Sequence, residues 1–383
     1  MKKRNLKGLT RKGLEDFVLS IGEKKFRAAQ LYDALYGKTA SSFDEMTTLS
    51  KPFRDQLQKI ACIESSRLIE SQKSGRDGTV KFLFELPDGK RIESVLIPPR
   101  TTYASMDKND PNDRDEQQRL TLCVSTQAGC ALDCKFCATA SMGFLRNLTC
   151  GEILDQVMQA KQISGKKITN LVYMGMGEPL LNYENVMNSV EIISTSMDIA
   201  ARRITVSTAG WAPKIRQMAD EKRRVKLAVS LHSLDDKKRS ELMPINRKHP
   251  LKQLLECVDY YYRKVKQRIT FEYILFEGWN DGDEDIARLV KLSKSIPSKF
   301  NIIPFHDIKN VLGTDNANQL QPASSHKIEQ FTEKLRTAKL TVFVRSSAGE
   351  DIDAACGQLA VRVNRKRAIE KNPSTILSES LTV

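Results

Sequence analysis

The chain has no long hydrophobic run. A helix that crosses a membrane needs about 20 consecutive apolar residues, and no stretch of the 383-residue sequence approaches that length. The charged start Met1-Lys2-Lys3-Arg4 is not followed by the apolar core of a signal peptide. We therefore expect no membrane contact and a cytoplasmic location.

A second C-x-x-C pair is also missing. Structural zinc sites close with four ligands, usually from two such pairs or from one pair and histidines. The eight cysteines are scattered through a long chain, whereas disulfide frameworks belong to small secreted domains. They are therefore predicted to be reduced thiols or ligands of a metal cluster.

Acidic residues are fewer than basic residues. The sequence holds 61 Lys and Arg against 47 Asp and Glu, which gives a net charge of +14. A molecule with this charge repels itself unless a polyanion binds it, and the phosphate backbone of RNA is the obvious polyanion. A soluble basic protein that binds no nucleic acid would have a similar composition. The length and the hydrophobic fraction of 40% suffice for one large domain with an accessory domain.

Three cysteines are closely spaced. Cys130, Cys134 and Cys137 stand in a C-x3-C-x2-C loop. Thiolates at this spacing can hold three irons of a four-iron cube and leave the fourth iron open. The alternatives are a zinc ion with Cys150 or Cys123 as its fourth ligand, and three inert core thiols. The spacing favours the iron–sulfur cluster.

Three further segments extend this motif into a longer pattern. They are Met174-Gly175-Met176-Gly177-Glu178-Pro179-Leu180, Ser230-Leu231-His232-Ser233 and Asp351-Ile352-Asp353-Ala354-Ala355-Cys356-Gly357-Gln358-Leu359. With the cysteine loop they resemble the radical S-adenosylmethionine (SAM) dual-specificity adenine-C2 RNA methyltransferases, in the family's order, over about residues 5–362. Four motifs in register are more specific than one cysteine loop.

The resemblance implies an α/β fold. It implies a partial (βα)6 radical SAM barrel over 120–362, an N-terminal helical accessory domain over 1–62 that binds RNA, and a β-hairpin linker over 63–119. A polar insertion at 106–119 and a C-terminal tail at 363–383 complete the chain. The barrel region does alternate helical patterns with strand-like segments, which are 120–126, 168–174, 204–208, 225–231, 269–275, 301–305 and 340–345. The pattern alone does not separate this barrel from an eightfold barrel or an open sheet.

Local patterns predict further elements. Apolar residues at helical spacing in 9–18 and 25–36 predict two short helices, and alternation in 79–85 and 91–97 predicts a hairpin. Thr149 with Glu152 forms a capping box that begins a helix. The N-terminal region carries a predicted phosphate-binding surface, although a solvated helix face would look similar; its residues are Lys2, Lys3, Arg4, Lys7, Arg11, Lys12, Lys24, Lys25 and Arg27.

The resemblance also implies a cofactor site at the carboxyl ends of the barrel strands. Cys130, Cys134 and Cys137 would bind one [4Fe-4S] cluster, whose open iron chelates SAM. The implied SAM contacts are Gly177, Glu178, Ser207, Ser230, Leu231, His232 and His306. The family usually has asparagine at the position of His306, so this contact departs from its pattern.

Three residues have implied roles in the reaction. Cys356 matches the family's methyl-carrying cysteine, Cys123 its resolving cysteine and Glu93 its general base. In strand parity Glu93 shares a side with Val95 and Ile97, where an apolar environment would raise its pKa; an edge residue facing water is the alternative. The resemblance implies two SAM per turnover and release of the product by a disulfide between Cys356 and Cys123.

The implied partners are 23S rRNA, at adenosine 2503, and a subset of tRNAs, at adenosine 37. Such a base must be unstacked to react, so single-stranded loops are the natural substrate. An external one-electron donor such as flavodoxin and a monomeric state are expected. Three alternatives stay open: an adenine-C8 methyltransferase of the antibiotic-resistance type, a sulfur-inserting RNA enzyme, and a zinc-dependent RNA-binding module.

Overall fold

The computed structural model describes residues 3–99, 119–306, 308, 320–345 and 348–360. The predicted polar insertion at 106–119, except Arg119, and the predicted tail at 363–383 lie outside these residues. No helix in the described part of the chain is both long enough and apolar enough to span a membrane.

The N-terminal region is helical, as predicted. Thr10 caps the first helix, since its side chain accepts the backbone N–H of Gly13 at 3.2 Å. A short parallel pair of strands closes the region. The elements are β1 Arg4–Asn5, α1 Arg11–Ser20, α2 Phe26–Tyr32, a π-helical turn Asp33–Gly37, α3 Lys51–Ile60 and β2 Ala61–Cys62.

The rest of the described chain is built around a ten-stranded mixed sheet and a two-stranded ribbon. The strands are β3 Arg67–Lys73, β4 Val80–Glu85, β5 Arg91–Ile97, β6 Thr121–Cys123, β7 Gln127–Gly129, β8 Phe144–Asn147, β9 Asn170–Tyr173, β10 Ile204–Thr208, β11 Lys226–Ser230, β12 Ile269–Leu275, β13 Ser298–Pro304 and β14 Val342–Val344. The helices are α4 Cys150–Ser164, α5 Tyr183–Ser196, α6 Ala212–Asp220, α7 Asp236–Leu242, α8 Ile245–Lys248, α9 Leu251–Val265, α10 Asp283–Ser295 and α11 Ser325–Thr337.

Seven strands of the sheet are parallel. Their order is β6-β9-β10-β11-β12-β13-β14, and helices fill the connections between them. All seven residues of β12 are buried, as expected for a strand in the interior of a parallel sheet. The seven strand-like segments of the sequence coincide with these strands, which confirms the predicted α/β fold.

The hairpin region extends the barrel sheet. β4 and β5 form the predicted hairpin, and β5 also pairs with the first barrel strand, with Val95 opposite Cys123. β3 adds an outer edge. The sequence pattern missed β3 because an exposed edge strand carries polar residues on both faces. This continuity brings Glu93 next to the barrel.

A buried ion pair fastens the N-terminal region to the barrel. Lys7 Nζ lies 2.7 Å from Asp155 Oδ1 on α4, and the two side chains are 6% and 3% exposed. The second oxygen of Asp155 accepts the backbone N–H of Ser66 at 2.6 Å. The prediction that Lys7 belongs to a phosphate-binding surface is therefore wrong, because its ammonium is enclosed and already paired.

The capping box that begins α4 is confirmed. Thr149 Oγ1 accepts the backbone N–H of Glu152 at 3.2 Å, and the Glu152 carboxylate accepts that of Thr149 at 2.8 Å. Arg146 of β8 donates to the same carboxylate at 2.7 Å. The start of α4 thus holds β8, the strand that follows the cysteine loop.

Candidate active site

The three closely spaced cysteines lie in the loop between β7 and β8. The loop curls back on itself, because Leu132 donates its N–H to Cys130 Sγ at 3.4 Å and Cys134 donates to the Leu132 carbonyl at 2.8 Å. Lys135 N–H donates to the carbonyl of Leu242, at the end of α7, at 3.0 Å. These bonds hold the three sulfurs around one volume.

The electrostatics of this loop favour a bound cation. Burial raises the pKa of Cys130 to about 12 and holds the pKa values of Cys134 and Cys137 above their ordinary value, and neighbouring thiols add to the effect. Three thiolates this close are stable only when positive charge compensates them, as metal coordination does.

The set of donors suits a cluster better than a single zinc ion. A structural zinc site closes with four ligands, whereas this loop brings three thiols to one cavity. An iron–sulfur cube takes one thiolate at each occupied corner and can leave the fourth iron open. The residues present therefore fit a [4Fe-4S] cluster.

One cavity of about 150 Å³ gathers most of the predicted site residues. It lies at the carboxyl ends of the parallel strands, the edge at which barrel enzymes place their chemistry. Its lining includes Cys130, Cys134, Cys137, Gly177, Glu178, Ser207, Ser230, His232 and Cys356. Residues from the barrel strands, the cysteine loop and the C-terminal segment thus meet around one space.

Glu178 presents a buried carboxylate to this cavity. Its oxygens accept the backbone N–H of Leu180 at 3.0 Å and that of Ala209 at 2.8 Å. Burial raises its pKa to about 6, although these two hydrogen bonds lower it. At neutral pH the carboxylate is charged and can accept from an ammonium group.

Gly177 is required by close packing. Its φ is +95°, and a Cβ at this position would lie 2.5 Å from Gln127 Cβ. The same glutamine accepts the N–H of Glu178 at 2.9 Å. Only glycine allows the chain to pass Gln127 and aim Glu178 into the cavity.

His232 supplies a neutral donor. Its Nδ1 accepts the backbone N–H of Ile274 at 3.0 Å, so the proton of the neutral ring is on Nε2. Burial lowers its pKa to about 3. Nε2 is buried without a hydrogen-bond partner among the described residues, and an unpaired buried donor in a cavity wall is suited to a ligand acceptor.

Two predicted contacts lie elsewhere. Leu231 is fully buried in the hydrophobic core. Its backbone carbonyl accepts a hydrogen bond from Arg239 Nε at 3.2 Å. His306 Nδ1 lies 3.1 Å from Glu350 Oε1. Neither residue is among the described residues that line the cavity.

The segment that carries Cys356 is docked against the cysteine loop. Ala138 N–H donates to the Gly357 carbonyl at 2.7 Å, and Thr139 Oγ1 donates to the Leu359 carbonyl at 2.7 Å. Gly357 has φ +85°, and a Cβ there would lie 3.0 Å from the Phe136 carbonyl oxygen. The exposed Cys356 thiol is thereby held at the cavity wall.

Cys123 is buried at the end of β6, in the electrostatic field of Cys356. Burial, with a further contribution from Cys356, raises its pKa to about 12, and Arg345 opposes the rise. The thiol is therefore protonated at neutral pH and reacts only when its proton is removed. Both thiols are free in the structure.

Glu93 is buried, as expected from the resemblance and not from its strand position alone. Burial raises its pKa to about 7, and the nearby Lys81 opposes the rise. It lines a separate cavity with Lys81 and Asp353 rather than the cavity of Cys356. Its carbonyl accepts from Ser125 Oγ at 2.6 Å, which links β5 to the end of β6.

A charged group on the cavity wall belongs to none of the sequence motifs. Arg345, just after β14, lies 3.6 Å from Glu272 Oε2 and donates to Met174 Sδ at 3.4 Å. Burial lowers the pKa of Arg345, but Cys356, Glu272 and Cys123 outweigh it and raise the pKa overall. Its position at a strand end was the available signal.

This architecture is that of the radical SAM enzymes, and residues 124–290 match the Radical SAM superfamily. Residues 4–63 match the ribosomal RNA large subunit methyltransferase N-terminal domain. The chain belongs to the dual-specificity RNA methyltransferases of that superfamily. It is an SAM-dependent RNA methyltransferase, and its class uses a [4Fe-4S] cluster and SAM.

Three relatives establish this membership. The probable dual-specificity RNA methyltransferase RlmN of Salinibacter ruber is 42% identical over 93% of this chain and 94% of its own length. The protein of the same name from Christiangramia forsetii is 40% identical over 94% of this chain and 97% of its own. The crystal structure of a radical SAM methyltransferase from Sphaerobacter thermophilus superposes with a TM-score of 0.80 at 37% identity, covering 93% of this chain and 98% of that one.

Proposed function

We propose that this enzyme methylates C2 of adenosine 2503 in 23S rRNA and C2 of adenosine 37 in a subset of tRNAs, using two SAM per turnover. The observation that carries the proposal is the shared cavity, because Cys356 and the three cluster cysteines line the same wall. A methyl group on the Cys356 sulfur would then lie beside the source of the radical.

The first step belongs to Cys356. Its thiolate attacks the methyl carbon of one SAM, so that an S–CH3 bond forms on Cys356 while the bond from this carbon to the sulfonium sulfur breaks and S-adenosylhomocysteine leaves. The exposure of the thiol suits this step, since the sulfur must be reached from the cavity. The cluster and a second SAM, when bound, supply a 5′-deoxyadenosyl radical that removes a hydrogen atom from the S-methyl group.

Glu93 and Cys123 complete the transfer. The methylene carbon on Cys356 would bond to adenine C2, the resulting base radical would return one electron to the oxidised cluster, and Glu93 would take the C2 proton. The Cys123 thiolate then attacks Cys356 Sγ, so that an S–S bond forms while the S–CH2 bond breaks. The base keeps that bonding pair and gains a proton to complete its methyl group. An external one-electron donor such as flavodoxin restores the thiols and the cluster.

Several groups would position SAM. Glu178 would accept from the methionine ammonium, and His232 Nε2–H would donate to an acceptor of the cofactor; Ser207 and Ser230 offer hydroxyls in the same lining. His306 is not proposed as a contact, since its ring is beside Glu350. We propose that the enzyme acts as a monomer in the cytoplasm, where its RNA substrates are made.

The test compares two alanine variants. Cys356→Ala, reconstituted without oxygen and incubated with SAM, reductant and RNA, should still cleave SAM but should transfer no methyl group. Cys257→Ala, which removes a buried thiol on α9, should methylate normally. Mass spectrometry of wild-type product should find 2-methyladenosine. Normal methylation by Cys356→Ala, or 8-methyladenosine as the product, would overturn the proposal.

A further inference from the structure

Glu93 shares a buried ion pair with Lys81. Lys81 Nζ lies 3.5 Å from Glu93 Oε1, and the side chains are 9% and 5% exposed. In the β4–β5 ladder Leu83 is opposite Glu93 and Lys81 is opposite Val95. Lys81 is therefore the diagonal neighbour of Glu93 on one face of the hairpin, a position from which a long side chain reaches across.

Lys81 also contacts the segment that carries Cys356. Its ammonium donates to the Asp353 carbonyl at 3.3 Å. The same segment is tied to the start of the β3–β4 turn, since Ser74 Oγ donates to Asp351 Oδ1 at 2.7 Å. One buried cation thus joins the strand of Glu93 to the chain that positions the methyl-carrying thiol.

The two oxygens of Glu93 are unequal. Oε1 faces the Lys81 ammonium, whereas Oε2 is buried without a hydrogen-bond partner among the described residues. An ion pair on one oxygen fixes the carboxylate and leaves the other oxygen to accept a proton.

A second cavity opens beside this pair. It has a volume of about 490 Å³, and its described lining includes Lys81, Glu93 and, beside them, Glu70, Lys73, Asp351 and Asp353. Asp351 and Asp353 belong to the same short segment as Cys356, which lines the reaction cavity. The carboxylate therefore borders a polar space next to the segment of the reacting thiol, and such a space can hold water.

We propose that Lys81 is a positioning residue that holds Glu93 Oε1, so that Oε2 takes the proton of the substrate carbon and passes it to water in the second cavity. This inference rests on the proposed function of Glu93. The proton moves from C2 to Oε2 and then to water, and Lys81 takes no part in the transfer. The polar cavity is the exit route of the proton.

The charges that face Glu93 set the direction of the expected pH effect. Burial raises its pKa to about 7, Lys81 on β4 lowers it, the backbone N–H of Ala360, which makes no hydrogen bond to Oε2, lowers it, and Asp353 raises it. Glu70 and Lys73 of β3 and Asp351 line the same cavity. Without Lys81 the pKa rises further, so a larger share of Glu93 is protonated at pH 7 and cannot act as a base.

The experiment uses Lys81→Met, with Lys81→Arg as the charge-retaining variant and Lys334→Met, on the exposed surface of α11 away from both cavities, as the control. At pH 7, Lys81→Met should lower the rate of RNA methylation at least about tenfold, and its rate should recover as the pH rises. The covalent adduct of Cys356 with RNA should accumulate, while methylation of Cys356 stays normal. Lys81→Arg should restore most activity, and Lys334→Met should match the wild type.

The outcomes are distinguishable. If Glu93→Gln abolishes methylation while Lys81→Met keeps the wild-type rate, pH profile and adduct level, the inference about Lys81 is wrong and the proposed function stands. If Glu93→Gln methylates RNA normally, the base in the proposed function is wrong as well. Should Lys81→Met fail to fold, Lys81→Gln replaces it. Glutamine keeps a donor for the Asp353 carbonyl but carries no charge, so this variant should show the same loss of rate at pH 7 and the same recovery as the pH rises.

Discussion

The Glu178 carboxylate accepts the backbone N–H of Ala209 at 2.8 Å, and so joins the chain after β9 to the chain after β10. The other oxygen of this carboxylate accepts the N–H of Leu180. One buried side chain therefore both shapes two neighbouring strand ends and offers a charge to the cavity that they enclose.

Glu178→Gln should weaken SAM binding while leaving the cluster intact. Loss of one charge-assisted hydrogen bond of about 1.5–3 kcal/mol corresponds to roughly 10- to 100-fold in affinity. The wild type should also lose SAM affinity as the pH falls through about 6, the pKa to which burial raises this carboxyl, because the protonated acid no longer attracts an ammonium. Equilibrium binding of SAM at several pH values measures both effects. A flat pH profile would contradict the role.

Gly177→Ala should destabilise the fold by about 1–3 kcal/mol. The substitution combines an unfavourable φ of +95° with a contact of 2.5 Å to the side chain of Gln127. Gly89→Ala is the matched control, since Gly89 has φ +80° and nothing within 4 Å of the added carbon. Chemical denaturation should therefore find a smaller loss for Gly89→Ala. Equal losses of stability in the two variants would mean that the backbone angle alone, and not the contact with Gln127, causes the effect.

Arg239→Met should destabilise the protein by at least about 3 kcal/mol. The side chain is fully buried and donates to Ala209 O at 2.7 Å, Ser230 O at 3.0 Å and Asn246 Oδ1 at 2.6 Å. Removing it leaves these acceptors unpaired in the interior. Arg263→Met, on the exposed surface of α9, should change stability by no more than about 0.5 kcal/mol. Urea unfolding of both variants measures the difference.

Lys7→Met should loosen the N-terminal region from the barrel. The change leaves Asp155 without its cation in a buried site, which costs about 3–5 kcal/mol. Hydrogen exchange should therefore increase in α1 and along α4. Lys12→Met breaks an ion pair whose side chains are 77% and 56% exposed, so it should leave exchange nearly unchanged. Equal protection in both variants would rule out a fastening role for Lys7.

Local sequence patterns were sufficient where the physical cause is local. The strands of the barrel and the hairpin follow from apolar periodicity, and the α4 start follows from the capping pair Thr149 and Glu152. The edge strand β3 was missed, because its exposed residues carry no such pattern. The resemblance, rather than parity in β5 alone, favoured a buried Glu93, and the structure buries this residue within a strand that is buried on both faces.

Contacts between distant segments had no local signature. Nothing near Lys7 in the sequence indicates Asp155, and nothing near Arg345 indicates Glu272, since each pair forms only when the sheet and its helices have packed. Leu231 and His306 are in motif positions, yet the local course of the chain turns one into the core and the other towards Glu350.

The sequence by itself determined the three-thiol loop and the order of strands and helices, because spacing and periodicity act over a few residues, and the resemblance of its four motifs indicated the class of protein. The tertiary structure decided which side chains share a cavity. Parallel strands bring their carboxyl ends to one edge whatever their separation along the chain, and that edge collects Cys134, Glu178 and Cys356 around one space. It also decided that Lys7 is a buried partner and that Glu93 faces Lys81, because burial and ion pairing arise only from the packed fold.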